Sequence, residues 1–162
     1  MRSLLPLSVL VGLASLAIPI SRAEACSCTY FPEFPEAYLS SDAVYLGEVL
    51  AVRSAAPEYP EAVWADFRVE TAWKGAPPEF VSLLTGANDG ICGVTFVPGH
   101  RYLVYAFQDY GGVWGGNAAP GVLWTHLCWR THETWPEDPD LVALGPTAVH
   151  GASWGQVKRR FR

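Results

Sequence analysis

Apolar and polar residues alternate almost cleanly over residues 65–74, with Phe67, Val69, Thr71 and Trp73 on one side and Asp66, Arg68, Glu70 and Lys74 on the other. A period of two sends successive side chains to opposite faces of an extended chain, so this segment predicts a half-buried strand. Residues 43–53 form a longer apolar run broken by Gly47, which predicts a strongly curved strand with a bend or bulge at the glycine. After the Gly75-Ala76-Pro77-Pro78 turn come a strand over residues 80–85 and a loop over 86–93 that carries Cys92. Pro98-Gly99-His100 then leads into residues 101–107, apolar on both faces and therefore predicted to be interior. The glycine-rich residues 111–121 predict a hairpin tip, and residues 122–128 a last strand. Helical signals are few: residues 32–41, entered through prolines and ended at Ser40-Ser41-Asp42, and a short stretch over 140–144. Five strands parted by turn signals, with one or two short flanking helices, predict a mainly β fold. A small closed antiparallel barrel fits better than a sandwich.

The first 25 residues stand apart. Arg2 supplies a positive start, residues 4–20 an apolar stretch interrupted by Pro6, Gly12 and Pro19, and Ala23-Glu24-Ala25 an A-x-A cleavage motif. This is the pattern of a secretory signal peptide, too broken for a transmembrane helix of roughly 20 apolar residues. A secreted, periplasmic or extracellular product is expected, with no stable membrane insertion after cleavage. A cysteine directly after the cut also raises lipoprotein anchoring at Cys26, but the preceding Ala23 and charged Glu24 are poor residues for that site.

Without this leader 137 residues remain, the size of one domain. Residues 26–145 are expected to form it and residues 146–162 a partly disordered tail. Arg2, Arg22 and Glu24 go with the leader, leaving 9 basic and 15 acidic residues and a net charge of −6, which argues against nucleic acid as a partner. Four of those nine basic residues crowd into the last five positions, Lys158, Arg159, Arg160 and Arg162. So short a basic end reads as a solvated tail. Nothing in the pattern demands assembly, and a monomer is expected.

All four cysteines, Cys26, Cys28, Cys92 and Cys128, lie beyond the leader. An even count in an exported chain suggests disulfides. Of three connectivities, the one joining Cys26 to Cys28 would close a cramped ring; the other two both staple the amino terminus to Cys92 and Cys128. Closing a loop of about 66 residues is worth about 4 kcal/mol in the chain-entropy treatment. C-x-C followed by two distant single cysteines lacks the paired spacing of a structural zinc cage.

Enzyme chemistry finds little purchase. His100, His126, His132 and His150 show no i,i+4 zinc-helix spacing, there is no G-x-S-x-G, and no thiol nucleophile remains once the cysteines pair. His126 and His132 flank Cys128 and could meet in space. The seven tryptophans read as packing residues. The Gly-rich segment at 111–116 lacks the strand-to-helix setting of a phosphate loop.

A set of ordered residues nevertheless resembles a known family: Cys26-Ser27-Cys28, Ser41-Asp42-Ala43-Val44 leading into Gly47-Glu48-Val49, Phe67-Arg68-Val69 with Trp73-Lys74-Gly75, Thr85-Gly86, Cys92-Gly93, Gly99 with Tyr102-Leu103-Val104-Tyr105-Ala106, and Leu127-Cys128 followed by Trp135. Over about 110 residues they are similar to the amino-terminal, netrin-like domain of the tissue inhibitors of metalloproteinases, in a short single-domain form like those of bacteria. That resemblance implies an oligonucleotide-binding-type (OB) barrel whose stapled terminus is a wedge for the cleft of a zinc metalloendopeptidase. It also implies the pairs Cys26 with Cys92 and Cys28 with Cys128. Ser27 would point into the specificity pocket, Thr29 and Tyr30 would run along the cleft, and Gly90 and Ile91 would form a second contact loop. Thr29-Tyr30 stands where the family usually has Val-Pro, and the third disulfide and following second domain of the eukaryotic inhibitors are not expected here.

The chemistry follows from a cysteine at the first mature position. A catalytic zinc keeps one place for water beside three protein ligands. An α-amine and the carbonyl oxygen of Cys26 would displace that water in a five-membered chelate. With a pKa of about 7.7–8.0 the amine gives up its proton readily near neutrality. The chain would need no cofactor of its own, only the partner's zinc, and would be an inhibitor and not an enzyme. The competing expectation is a netrin-like protein-binding module that never touches zinc.

Overall fold

A computed structural model describes residues 26–108 and 121–146; the expected leader, most of the hairpin tip and the tail from residue 147 onward, with its basic end, lie outside the described residues. The elements run α1 (Phe34–Ser40), β1 (Ala43–Ser54), β2 (Ala62–Lys74), β3 (Phe80–Gly86), a 3-10 turn (Asp89–Ile91), β4 (Arg101–Gln108), β5 (Leu123–Trp124), β6 (His132–Glu133) and α2 (Pro139–Leu144). β1 pairs with both β2 and β4, β3 lies beside β2, and β5 bridges β3 and β4, so five strands close on themselves in the order β1-β2-β3-β5-β4. This is the closed five-stranded barrel that the strand pattern predicts. One detail is corrected: β5 runs parallel to β3, at Leu83 opposite Leu123 and Leu84 opposite Trp124, so the barrel is mixed and not wholly antiparallel.

The apolar runs serve two layers. Ala43, Tyr45 and Val49 of β1 and Tyr102, Val104 and Ala106 of β4 fill the barrel with Phe67 and Leu83, while the intervening Val44, Leu46, Leu103 and Tyr105 pack outward against Ala37 and Tyr38 of α1 and Leu144 of α2. A strand covered on both faces loses its alternation, which is why residues 101–107 look continuously apolar. Inside, aromatic edges meet faces: Phe67 lies 5.2 Å from Phe96, and Phe96 4.8 Å from Tyr102.

Gly47 sits at an interruption of the β1–β2 ladder, as expected: Leu46 opposes Thr71, and Gly47 opposes Val69. A Cβ there would meet the Arg68 carbonyl oxygen at 2.9 Å. The same interruption leaves Glu70 without an opposite number, and an extra residue switches the faces of everything beyond it. Phe67 therefore points into the barrel whereas Trp73, expected on the same face, packs in the outer layer and donates from Nε1 to the Gly145 carbonyl at 2.9 Å.

The predicted strand over 122–128 is reduced to Leu123–Trp124. The chain leaves the ladder at the buried Thr125, whose backbone N–H donates to the Leu84 carbonyl at 3.0 Å, and turns so that Cys128 can bond to Cys28. It returns at the buried Thr131, whose Oγ1 accepts from the Tyr105 backbone N–H at 2.9 Å. β6, which the sequence reading missed, then borders β4 at Tyr102 and Leu103.

Tyr45 is fully buried and its hydroxyl has no hydrogen-bond partner among the described residues. Burial alone drives its pKa far above that of a free phenol. A buried hydroxyl left unpaired costs about 1–3 kcal/mol. Tyr45→Phe, which keeps the ring, is expected to raise stability by about 1 kcal/mol in urea unfolding with an unchanged slope.

Candidate functional site

Both expected bridges are present, Cys26–Cys92 and Cys28–Cys128, with Cα separations of 5.3 and 5.2 Å. No cysteine is free. Their two landing points belong to neighbouring loops. Cys92 follows the 3-10 turn in the left-handed region at φ 60°, its N–H donating to the Asp89 carbonyl at 3.1 Å. Its own carbonyl accepts from the Leu127 N–H at 2.7 Å, which places Cys128 beside it. The bridges therefore pack together, with Cys26 Sγ 3.9 Å from Cys128 Sγ.

The loop over residues 86–93 is closed at its neck by two glycines. The Gly93 N–H donates to the Asn88 carbonyl at 2.8 Å, and a Cβ on Gly93 would lie 2.0 Å from the Gly86 carbonyl oxygen. No side chain fits there. This closure sets Gly90 and Ile91, both half-buried, immediately before the cysteine that holds Cys26.

Ser27, Cys28, Thr29, Tyr30 and Phe31 are exposed, whereas Cys26 is half-buried. Short, bridged at both ends of C-x-C and projecting into solvent, this segment forms a ridge. The Cys26–Cys92 bridge joins the Cys26-Ser27-Cys28 segment to the loop that carries Gly90 and Ile91. Thr29 and Tyr30 continue toward α1, where the Tyr30 hydroxyl donates to the Glu36 carboxylate; that bond is also what raises the Tyr30 pKa.

Beneath the ridge lies a buried polar cluster that the sequence reading missed. Arg130, two residues after Cys128, donates from Nε and Nη2 to Asp140 at 2.6 and 2.9 Å and from Nη1 to the Pro32 carbonyl at 3.2 Å. Asp140 also accepts from the Tyr105 hydroxyl at 2.9 Å, and its carboxylate holds the Arg130 pKa above its ordinary value. One guanidinium thus ties the root of the ridge, the Cys128 loop and α2. A fork of five donors suits a buried carboxylate. The available signal was Asp138-Pro139-Asp140, a helix-capping pattern whose second acid also faces inward; Asp138 does cap α2, accepting from the Asp140 N–H at 2.9 Å.

His126 and His132 have separate partners. His126 stacks on Trp124 at 5.4 Å, and burial lowers its pKa. His132 Nε2 lies 2.7 Å from the buried Asp138 carboxylate. Elsewhere, a cavity of about 450 Å³ between Trp64, Pro77, Val81 and Leu123 includes one ionisable side chain, Asp42, which accepts from the Gln108 backbone N–H at 2.8 Å.

Two expectations follow from this geometry. Gly93→Ala forces the neck open and is expected to cost about 1–3 kcal/mol, the range for overpacking, read as a lower denaturation midpoint. His126 has a folded pKa below its unfolded value of about 6.5, so its neutral form favours the fold. That contribution is intact above about pH 6.5 and is lost as pH falls through the folded pKa. Thermal melts at pH 7.5 and pH 5 are expected to show a smaller acid-side loss for His126→Phe than for the parent.

In comparisons with known proteins the chain matches no family model and no curated protein.

Proposed function

We propose that the protein is a secreted inhibitor of zinc metalloendopeptidases, acting through the α-amine and carbonyl oxygen of Cys26 once the leader has been cut. The observation that carries this reading is the double staple: two bridges fix an exposed C-x-C ridge against the barrel at the segment that cleavage after Ala25 would make the amino terminus. An unrestrained peptide would have to order each side chain on binding at about 0.5–1.5 kcal/mol, a cost the staples have already met in folding. Two disulfides suit an oxidising compartment. Among the described residues no helix is long and apolar enough to cross a membrane.

In this reading each part has a task. The amine and carbonyl of Cys26 replace the water on the target's zinc and so remove the nucleophile of hydrolysis. Ser27 enters the adjoining specificity pocket, small enough to leave the ridge seated. Thr29 and Tyr30 lie along the cleft, and Gly90 and Ile91 touch its rim beside Cys92. The Arg130–Asp140 pair keeps the root of the ridge from yielding as the cleft closes on it.

One extra alanine ahead of Cys26 acylates the amine while leaving both bridges in place. Inhibition in a panel of purified zinc endopeptidases is expected to fall by at least about 100-fold, equivalent to about 2.8 kcal/mol. Intact mass fixes the terminus of the parent and of the extended form. Equal potency of the two would reject the chelate and leave a barrel that binds proteins without touching zinc.

A further inference from the structure

We propose that the four cysteines are also a redox-linked metal site: with both bridges open, Cys26, Cys28, Cys92 and Cys128 bind one soft divalent cation of the zinc class in a tetrahedral cage of thiolates. The inference stands apart from the inhibitory reading, because it concerns the reduced chain and needs no free α-amine.

The geometry comes first. The sulfurs of Cys26, Cys92 and Cys128 all lie within 4.8 Å of one another, and the fourth sulfur, that of Cys28, is bonded to Cys128. Zinc–sulfur bonds of about 2.3 Å arranged tetrahedrally separate the sulfurs by about 3.8 Å. Cys26 Sγ and Cys128 Sγ, which belong to different bridges, are already 3.9 Å apart. The two bonded pairs, with Cα separations of 5.3 and 5.2 Å, must open to that spacing by side-chain rotation, and the Cys28 sulfur, outside the close group of three, must swing toward Cys26 and Cys92.

The second argument is placement that does not depend on the bridges. Cys92 and Cys128 stay adjacent through the Leu127 N–H to Cys92 carbonyl bond of 2.7 Å. The turn bearing Cys128 is pinned at its ends by Thr125 and Thr131, whose hydroxyls lie 2.9 Å apart and both donate to the Tyr105 carbonyl, and by the Arg130–Asp140 pair. The barrel thus offers two ligands in advance, and Cys26-Ser27-Cys28 brings the other two on one short clamp. Cys26, Cys92 and Cys128 are half-buried, which limits competition from water at three of the four ligands; Cys28 is exposed. A set of thiolates alone favours zinc and its soft relatives over calcium or magnesium.

The electrons balance. A dithiol opens each bridge by giving two electrons and closing to its own disulfide, and the four thiols release their protons to solvent as the cation enters. A disulfide donor reverses this, taking two electrons per bridge, re-forming both S–S bonds and expelling the cation. A reducing compartment favours the cage, an oxidising one the bridges.

The test uses the full chain, reduced without air by a phosphine, which becomes its oxide, and titrated with cobalt(II) and then zinc. The expected result is one cobalt per chain with the visible absorption of a tetrahedral four-thiolate centre, displaced by zinc. The near-ultraviolet circular dichroism of the aromatic core should match that of the oxidised protein. Cys28→Ser and Cys92→Ser should each lose the four-thiolate band, and the oxidised chain should take up no cobalt. No uptake on reduction, a centre with fewer sulfurs, uptake without the native near-ultraviolet signal, or equal uptake by the oxidised chain would each overturn the proposal.

Discussion

Everything at the exposed end of this molecule depends on two loops lying side by side, and that contact is made by one backbone hydrogen bond, from Leu127 to the carbonyl of Cys92. It brings the two landing cysteines together, so that bridges closing loops of 66 and 100 residues end on one small patch. A chain terminus ordinarily frays. Here its Cys-Ser-Cys stretch is held on a foundation that barrel closure and a half-buried ion pair tie together.

That foundation is built in two shells. The barrel interior is a set of interlocked aromatic rings, and the outer shell is where β1, β2 and β4 meet the short helices. Arg130 and Asp140 sit in this outer shell and reach upward to Pro32. Pairing inside a protein is hard to justify as net stabilisation, because desolvating both ions offsets much of their attraction. Its value here is geometric: three separate segments meet at one fork, and each would otherwise be free to shift against the others.

The four sulfurs give that patch two chemical identities. As disulfides they hold a ridge whose proposed role is to reach a metal in another protein. As thiolates the same atoms are proposed to close on a soft cation, for which the Cys26–Cys128 spacing already has the edge length of a tetrahedral cage. What distinguishes the two is the electron count of the sulfurs, while the backbone beneath them stays as it is.

Alternation over residues 65–74, the interruption at Gly47, the turn glycines and prolines and the placement of α1 and α2 were legible because each reflects a local rule of side-chain direction or backbone freedom. The pairing of the cysteines came from resemblance and not from spacing. Trp73 was assigned to the wrong face because an unpaired Glu70 reverses the alternation, and a bulge carries no signature on its own strand beyond a break in period. The parallel contact of β5 with β3, the shortening of the last strand and the fork of Arg130 were hidden for the same reason: each joins residues far apart in sequence, through contacts that exist only once the barrel has closed. By itself the sequence determined a stapled, mainly β chain, since periodicity and cysteine count act locally or by number. Only the tertiary structure decided which faces are inside and that four sulfurs share one patch, because those depend on how distant segments fill the same volume.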